Sequence, residues 1–539
     1  MTTGLLQEWV TRQAETRPDA VAVVMGGERL TYGQLEILSN QLAHALQAAG
    51  CQRGDRVGLL LRKSPTMVAC MLGALKADAC HVPLDLASPA PRLAKIVESA
   101  EPGVILVAEN GAGTLRALLS TIRRPRTPQI AWMAPKPDAG ANVPRAPVFT
   151  LDDVRRMPTR GRSYQNTAGD CAHILFTSGS TGVPKGVIIT HANVIRFVSW
   201  AVDYFGLSAS DRTSGHSPCH FDLSTFDLFG TFAAGAQIHL VPPELNVVPH
   251  KLAAFMRESQ LTQWFSVPSI LTLMAQLDVV QSDDFPALRR LLWCGEVFPT
   301  RALRYWMSRL PHVTFTNLYG PTEATIASSY YTVPRCPAGD TEPIPIGSPC
   351  AGEKLLVLDH AFRPVPEGEI GDLFIQGVGL SPGYWRDPAK TRSAFLPHPA
   401  DSRDRIYRTG DLARVGPDGL VYFVGRADSQ IKSRGYRVEL GEIEAALQTL
   451  PQLQEGAIIA LPTDRFEGTL ICCAYVARPG AAVTAISLRQ QLAALLPSYM
   501  VPSEWKACDA LPRNANGKID RRRIQEEWKR DETAPAGRT

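Results

Sequence analysis

The chain has 539 residues, of which 45% are hydrophobic and 20% are charged, with 56 Lys and Arg against 52 Asp and Glu. This length exceeds what a single hydrophobic core supports, so we expect several subdomains. The hydrophobic fraction is that of an ordinary globular protein, and the small net charge of +4 gives no indication of a nucleic-acid partner.

The N-terminal segment and the cysteines indicate the cellular compartment. Residues 1–18, MTTGLLQEWVTRQAETRP, place apolar and charged residues at helical spacing. No apolar run approaches the roughly 18 residues that a membrane span requires. Eleven cysteines are scattered from Cys51 to Cys508 without a C-x-x-C pair, which predicts reduced core residues. We therefore expect a cytoplasmic protein without a membrane segment.

Apolar, strand-like runs repeatedly end in loops of Gly, Pro, Ser and Thr and then give way to helical periodicity. Examples of such runs are Ile174–Phe176, Trp264–Val267 and Leu291–Trp293, and the second precedes a helical segment at Ile270–Leu277. This alternation predicts an α/β fold, in which ligands bind at the carboxyl ends of the strands. The Pro- and Arg-rich segment from Arg123 to Pro158 is predicted to be a surface excursion between subdomains.

The pattern changes near Asp428. A helix from about Glu442 to Leu450, a strand near Ala457–Leu461 and a helix near Ile486–Leu496 follow a basic segment. These elements predict a small α+β module of about a hundred residues, long enough to fold as a unit. We therefore place a domain boundary at Asp428, with a large domain over residues 1–427 and a small domain over residues 428–539.

The ten residues TSGSTGVPKG, at positions 177–186, follow the first of these strand-like runs. Their order differs from the G-x-x-x-x-G-K-[ST] order of a Walker loop. Backbone N–H groups and hydroxyls of such a loop can surround phosphate oxygens, because glycine permits the positive φ angles that this requires. Taken alone, the segment is equally compatible with a flexible turn, and Lys185 with a solvated surface lysine.

Eight motifs then occur in one order along essentially the whole chain. They are Leu30-Thr31-Tyr32, Leu75-Lys76-Ala77, TSGSTGVPKG, Phe221-Asp222-Leu223-Ser224, Asn317-Leu318-Tyr319-Gly320-Pro321-Thr322-Glu323, Tyr407-Arg408-Thr409-Gly410-Asp411, the run from Gly425 to Glu444, and Asn516-Gly517-Lys518-Ile519-Asp520. The set resembles the adenylate-forming superfamily, in particular the amino-acid adenylation domains of nonribosomal peptide synthetases. The resemblance implies an α/β fold with a large N-terminal adenylation domain of several subdomains and a small, mobile α+β C-terminal domain.

The resemblance also implies an ATP site. Tyr319 is expected to stack on adenine, Asn317 to contact its exocyclic amine and Asp411 to accept the ribose hydroxyls. Thr322 is expected to meet the α-phosphate, and Glu323 to bind Mg²⁺, which prefers oxygen ligands. The ATP-binding residues implied in this way are Thr177, Ser178, Gly179, Ser180, Thr181, Gly182, Lys185, Asn317, Tyr319, Asp411, Phe423 and Arg426.

The implied reaction has two halves. An amino-acid carboxylate attacks the α-phosphate of ATP, and Lys518, acting with Glu323 and Thr322, stabilises the developing charge. The small domain then turns about the hinge residue Asp428, so that Lys518 leaves and Gly435-Tyr436-Arg437 arrives. The aminoacyl group passes to a phosphopantetheine thiol on a separate carrier protein.

The substrate is inferred from Asp222, which in such domains pairs with the α-ammonium group. The remaining pocket residues carried over by the resemblance are Leu223, Phe226, Phe265, Leu292, Cys294, Leu318, Ile326 and Ala327. None of them is charged, and the two phenylalanines fill volume, so a small neutral amino acid is expected. The set most resembles that of L-proline-activating enzymes, with alanine next, although Cys294 and Ala327 depart from the proline pattern.

Two other functions and one structural alternative remain open. An acyl- or aryl-acid CoA ligase would share the ATP motifs but lack an aspartate at position 222. The structural alternative is that some of the predicted pocket residues pack in the hydrophobic core and do not contact a substrate. A catalytically inactive scaffold would have lost Glu323, Asp411 or Lys518, all of which are present. After Lys518 only a short charged tail follows, so a freestanding enzyme is expected.

Overall fold

The computed structural model describes residues 4–123, 127–134, 145–179, 182–463, 468–513 and 519–533. Its helices are α1 (Glu8–Thr16), α2 (Tyr32–Ala48), α3 (Pro65–Lys76), α4 (Ala90–Ala100), α5 (Ala112–Thr121), α6 (Leu151–Val154), α7 (His191–Phe205), α8 (Leu223–Ala234), α9 (Pro249–Glu258), α10 (Pro268–Gln276), α11 (Thr300–Arg309), α12 (Pro388–Ala394), α13 (Leu440–Leu447), α14 (Ala485–Ala493) and α15 (Arg521–Thr533), with 3₁₀ turns at Glu109–Gly111, Pro243–Val247, Thr322–Ala324 and Ser498–Met500. Its strands are β1 (Val21–Met25), β2 (Glu28–Thr31), β3 (Arg56–Leu60), β4 (Cys80–Pro83), β5 (Val104–Val107), β6 (Gln129–Trp132), β7 (Cys171–Thr177), β8 (Lys185–Thr190), β9 (Arg212–Gly215), β10 (Gln237–Leu240), β11 (Gln263–Ser266), β12 (Arg290–Cys294), β13 (Thr314–Tyr319), β14 (Ser329–Thr332), β15 (Ser348–Pro349), β16 (Glu353–Leu358), β17 (Gly371–Gly377), β18 (Phe395–His398), β19 (Asp401–Val415), β20 (Val421–Arg426), β21 (Gln430–Ser433), β22 (Tyr436–Glu439), β23 (Leu453–Pro462), β24 (Thr469–Ala477) and β25 (Glu504–Ala507).

The described residues before Asp428 form three sheets. One has the strand order β15-β14-β13-β12-β11-β9-β10-β1-β2, the second the order β6-β5-β3-β4-β7-β8, and the third contains β16 to β20. The centres of the first two are parallel, as in the pairs β11–β12, β12–β13, β3–β4 and β3–β5. Parallel neighbours joined through helices confirm the predicted α/β fold.

Helix α8 positions one edge of the site. It packs against α7 and against β9, β10 and β11, so it is apolar on most of its circumference and its middle is fully buried. Its N-cap is Asp222, and it ends at Gly235, whose φ of 68° is the left-handed conformation that glycine adopts without strain. Helix α8 therefore places the Asp222 carboxylate at its N-terminal end, beside the sheet.

The described residues after Asp428 have their own core. In β23 and β24, Ile458 and Cys473 belong to one hydrophobic cluster, whereas Ile459 and Cys472 belong to another. This alternation is expected of a sheet covered on both faces. The first cluster includes residues of α13 and α14, and the second includes Ile524 and Trp528 of α15. The partition supports a boundary at Asp428, which remains a proposal.

The surface excursion predicted for Arg123 to Pro158 is wrong in its described parts. Strand β6 pairs in parallel with β5, and Ile130, Ala131 and Trp132 are buried. The prolines and arginines that suggested a loop flank this short strand, so composition averaged over the segment concealed it. Residues 124–126 and 135–144 lie outside the described residues.

Two further expectations concern the cysteines and the membrane. All eleven cysteines are free thiols, and most of them are buried, as predicted. Within the described ranges, no helix combines the length and the apolar character that crossing a bilayer demands.

Candidate active site

The predicted site residues converge where β7 and β13 end, facing the segment that links β21 to β22. A cavity of about 100 Å³ is bordered there by Thr177 and Ser178 at the end of β7, by Tyr319 and Thr322 at the end of β13, and by Asp222. Strands β7 and β13 belong to different sheets, and their carboxyl ends reach the same cavity, so residues far apart in sequence border it together. Residues predicted from distant parts of the sequence thus border one cavity, and the binding of a ligand there stays a prediction.

Glu323 is completely buried in the 3₁₀ turn Thr322–Ala324. One carboxylate oxygen accepts a hydrogen bond from the Tyr384 hydroxyl at 2.7 Å and lies 3.3 Å from Lys185 Nζ, while the other accepts from Arg437 Nη1 at 2.6 Å. Burial alone would raise the pKa of Glu323, but the cations of Arg437 and Lys185 hold it well below its usual range. The carboxylate is therefore ionised and surrounded by positive charge.

A second group joins Tyr319, Asp411 and Arg426. The Tyr319 hydroxyl donates to one Asp411 oxygen, and Arg426 Nη1 donates to the other at 2.6 Å. Lys432 of the small domain lies over the Tyr319 ring, 5.7 Å from its centroid. A neighbouring cavity of about 730 Å³ is bordered by Asn317, Tyr319, Phe423 and Arg426. These residues, predicted to bind adenosine, are adjacent to one another, and their roles stay predictions.

Asp222 lies in the wall of the first cavity and is only 8% exposed. Its carboxylate accepts a hydrogen bond from the Thr322 hydroxyl at 2.7 Å. Burial raises the pKa of Asp222 to about 6, because the Thr322 hydrogen bond and the more distant Lys432 offset only part of the lost hydration. A further cation beside Asp222 would therefore be bound favourably.

The apolar pocket residues form one continuous part of the core. Phe226 and Phe265 pack edge to face with ring centroids 5.8 Å apart, and both are fully buried. Leu223 and Cys294 border the cavity beside Asp222. The same hydrophobic cluster contains all eight of the predicted residues, namely Leu223, Phe226, Phe265, Leu292, Cys294, Leu318, Ile326 and Ala327.

The glycine-rich loop and the small domain contact each other directly. The Ser178 hydroxyl donates to the carbonyl oxygen of Arg437 at 2.6 Å, and the Gly179 N–H donates to Glu442 at 3.2 Å. Gly182 has a φ of 74°, and its carbonyl oxygen accepts from Lys95 Nζ at 2.7 Å. The described residues of the loop are thus held by the small domain at Ser178 and Gly179 and by Lys95 of the large domain at Gly182.

Gly435 is the residue that lets the small domain come this close. Its N–H donates to Glu296 at 2.7 Å, and its φ is 81°. A Cβ at this position would lie 2.6 Å from a Val267 methyl carbon, so no other residue fits without displacement. The segment Gly435-Tyr436-Arg437 therefore borders the first cavity, and its role in the second half of the reaction stays a prediction.

Three predicted residues, Ser180, Thr181 and Lys518, lie outside the described residues. Asp428, the predicted hinge residue, lies between β20 and β21, where it accepts hydrogen bonds from Arg426 and from the Gln430 N–H. Sequence reasoning missed Tyr384, Glu296, Arg92 and Glu442. The last of these falls inside the matched run from Gly425 to Glu444, and that was the signal by which it could have been found.

Comparison with known proteins agrees with this geometry. The AMP-binding enzyme family matches residues 10–385, and the AMP-binding enzyme C-terminal domain matches residues 442–518. An L-proline--[L-prolyl-carrier protein] ligase of Streptomyces coelicolor is 36% identical over 526 residues, which cover 95% of each chain. The Vibrio cholerae adenylation domain AlmE, solved in complex with glycyl-adenosine-5'-phosphate, has a TM-score of 0.84 at 25% identity, covering 97% of this chain and 98% of that one.

Some relatives are far longer. Tyrocidine synthase 3 of Brevibacillus parabrevis is 35% identical over 520 residues, which cover 96% of this chain but only 8% of that protein. The chain likewise spans 6% and 10% of the linear gramicidin synthase subunits C and D that it matches. The match over residues 10–385 and the identity along nearly the whole of a relative show that the chain belongs to the AMP-binding enzyme family.

Proposed function

We propose that this protein activates a small neutral amino acid, L-proline in the first place, as an aminoacyl-AMP and then transfers it to the phosphopantetheine thiol of a separate carrier protein. The observation that carries the proposal is Asp222, a buried carboxylate whose pKa is raised to about 6 beside a cavity. A substrate α-ammonium group supplies the cation that this carboxylate lacks.

The relatives favour this substrate class over the alternatives. A ligase named for L-proline and a prolyl-carrier protein shares 36% of its residues with this chain, and a second such ligase, from Pseudomonas fluorescens, shares 34%. The apolar pocket residues are uncharged, which suits proline and disfavours polar amino acids. Alanine and the acyl- or aryl-acid CoA ligase alternative are correspondingly less favoured.

The chain's residues fit ATP and Mg²⁺. Glu323 offers the charged oxygen that Mg²⁺ prefers, and Tyr384 orients it at 2.7 Å. Bound Mg²⁺ would neutralise phosphate charge during adenylation. Because Arg437 contacts the same carboxylate, the ion and the guanidinium would use Glu323 in turn.

The reaction proceeds in two steps, adenylation of the amino acid and its transfer to the thiol. A carboxylate oxygen of the amino acid bonds to the α-phosphorus and pyrophosphate leaves, with Thr322 and Lys518 at the phosphate. Rotation about Asp428 then replaces Lys518 by the Gly435-Tyr436-Arg437 segment. The thiol sulfur bonds to the aminoacyl carbonyl carbon, its proton is lost, and AMP leaves.

Amino-acid-dependent exchange of pyrophosphate into ATP tests the proposal. Proline, alanine, β-alanine and benzoate are compared in parallel with the purified chain. Proline should give the fastest exchange and alanine the next. Turnover of β-alanine or benzoate with neither α-amino acid active would replace the proposal by the acid CoA ligase alternative.

A further inference from the structure

A buried ion pair joins the two domains beside the glycine-rich loop. Arg92 of α4 donates to one oxygen of Glu442 in α13, and the two residues are 5% and 3% exposed. The second oxygen of Glu442 accepts the Gly179 N–H at 3.2 Å. A carboxylate of the small domain thus bridges a cation and a loop amide of the large domain.

The residues around this ion pair pack closely against the glycine-rich loop. A Cβ added to Gly182 would lie 3.2 Å from the Ala445 Cβ, one helical turn from Glu442 in α13. Lys95, one turn along α4 from Arg92, holds the Gly182 carbonyl oxygen at 2.7 Å. Gly179 and Gly182 of the loop consequently lie between α4 and α13, with the Glu442 carboxylate on the Gly179 N–H.

The chemistry of these contacts matters because Gly179 belongs to the proposed phosphate-binding loop. Backbone amides of such loops bind anionic oxygens, whether these belong to a phosphate or to a carboxylate. An amide N–H that donates to Glu442 cannot at the same time donate to pyrophosphate. The cation of Arg92 holds the carboxylate in this position, because an unpaired buried Glu442 would be unfavourable.

We infer that Arg92 and Glu442 form a docking pair in which the Glu442 carboxylate takes the place of pyrophosphate on the glycine-rich loop, so that the small domain docks only after pyrophosphate has left. This inference rests on the proposed function. Arg92 and Glu442 are positioning residues here, since they act through the loop and the domain orientation. The pair makes pyrophosphate release a condition of the second half-reaction.

Competition of this kind has a measurable consequence. If docking blocks the loop, the apparent affinity for pyrophosphate is reduced by the fraction of molecules that are docked. Weakening the docking pair therefore improves apparent pyrophosphate binding. A merely structural ion pair would leave the pyrophosphate dependence unchanged.

The experiment uses the full chain with fluorescent amino acids at two exposed positions, Val247 in the large domain and Ile486 in the small domain. Energy transfer between them is followed while magnesium pyrophosphate is added. In the wild type, pyrophosphate should lower the docked fraction. In Glu442→Gln the starting docked fraction should be smaller, and the pyrophosphate concentration of half effect should fall by about tenfold.

Kinetics give an independent measurement. In proline-dependent exchange, Glu442→Gln should lower the KM for pyrophosphate by a similar factor with kcat near that of the wild type. The single-turnover rate at which the prolyl group of supplied prolyl-AMP is transferred to pantetheine should fall by about tenfold or more. The matched control is Glu444→Gln, on the same helix, whose partner Arg521 lies within the small domain.

Each result bears on the inference. Wild-type pyrophosphate dependence in Glu442→Gln, or equal effects of Glu442→Gln and Glu444→Gln, would overturn it. If Glu442→Gln is poorly folded, the double variant Arg92→Met/Glu442→Met removes both buried charges and must show the same fall in the half-effect concentration. Absence of exchange with every amino acid would refute the proposed function, whereas the titration of domain orientation would still decide the docking pair.

Discussion

Arg437 of the small domain and Glu323 of the large domain form a buried ion pair, with 2.6 Å between Nη1 and Oε2. Burial disfavours the charged guanidinium, but the carboxylate of Glu323 more than compensates and raises the pKa of Arg437. The Arg437 guanidinium therefore binds the same carboxylate that, according to the resemblance, binds Mg²⁺. This arrangement suits the step after adenylation, when no pyrophosphate remains to be neutralised.

The Lys518→Ala variant should lose adenylation selectively. A point cation that stabilises charge only in the transition state contributes about 10²- to 10³-fold in rate. Exchange should fall by that factor, while transfer from supplied prolyl-AMP to pantetheine should stay close to the wild-type rate. Lys529→Ala, which removes a lysine from α15, is the control and should leave both rates unchanged. Near-normal exchange in Lys518→Ala would contradict the assignment.

The Asp222→Asn variant should bind proline poorly. Breaking a buried charge pair costs about 3–5 kcal/mol, which corresponds to a KM for proline raised by roughly 10²- to 5 × 10³-fold. The KM for tetrahydrofuran-2-carboxylate, which has the shape of proline without the ammonium group, should rise far less. Equal losses for proline and for this analogue would show that Asp222 does not contact the ammonium group.

The same variant should be more stable than the wild type without substrate. The pKa of Asp222 is raised from 3.8 to about 6 in the folded protein, so between these values the folded chain keeps a proton that the unfolded chain releases. Wild-type stability therefore falls as pH rises through this window, and the variant avoids the loss. Urea unfolding at pH 7.5 should show a gain on the order of 2–3 kcal/mol. At pH 4 the difference should vanish.

Much of the fold and part of the site follow from local sequence. The apolar runs at Ile174–Phe176 and Leu291–Trp293 lie in β7 and β12, and the run Trp264–Val267 lies in β11 except for its last residue, because short buried strands between helices have this pattern. Thr177 and Tyr319 border the same cavity because each is the last residue of a strand, β7 in one sheet and β13 in another. These relations depend on periodicity and topology, which a sequence reveals.

The rest of the site depends on contacts without a local signal. Tyr384 orients Glu323 from 61 residues away, Glu296 holds Gly435 from 139 residues away, and Arg92 pairs with Glu442 across 350 residues. Each of these residues looks like an ordinary polar side chain in its own segment. Their partners are set by the packing of three sheets and by the orientation of the small domain, so periodicity alone does not predict them.

Truncating the pocket should change selectivity. Phe226 is fully buried and packs on Phe265, so Phe226→Ala should open space for larger apolar amino acids at the expense of proline. Each methylene of discrimination corresponds to about 1–3 kcal/mol, or 10- to 200-fold in kcat/KM. Phe232→Ala removes an equally buried ring from the same helix and should lower stability without changing the order of substrates. Identical substrate selectivity in the two variants would show that Phe226 packs in the core and does not determine which amino acid is bound.

Replacing Asp428 should separate the two half-reactions. The residue lies between β20 and β21, and proline there fixes φ near −65° and restricts the rotation that the proposed mechanism needs. Asp428→Pro should therefore impair one half-reaction much more than the other, measured as exchange and as single-turnover transfer to pantetheine. Asp428→Ala is the matched control, because it removes the hydrogen bonds from Arg426 and Gln430 and leaves φ free. If both variants lose both half-reactions equally, with a lowered melting temperature, Asp428 stabilises the fold and is not the hinge.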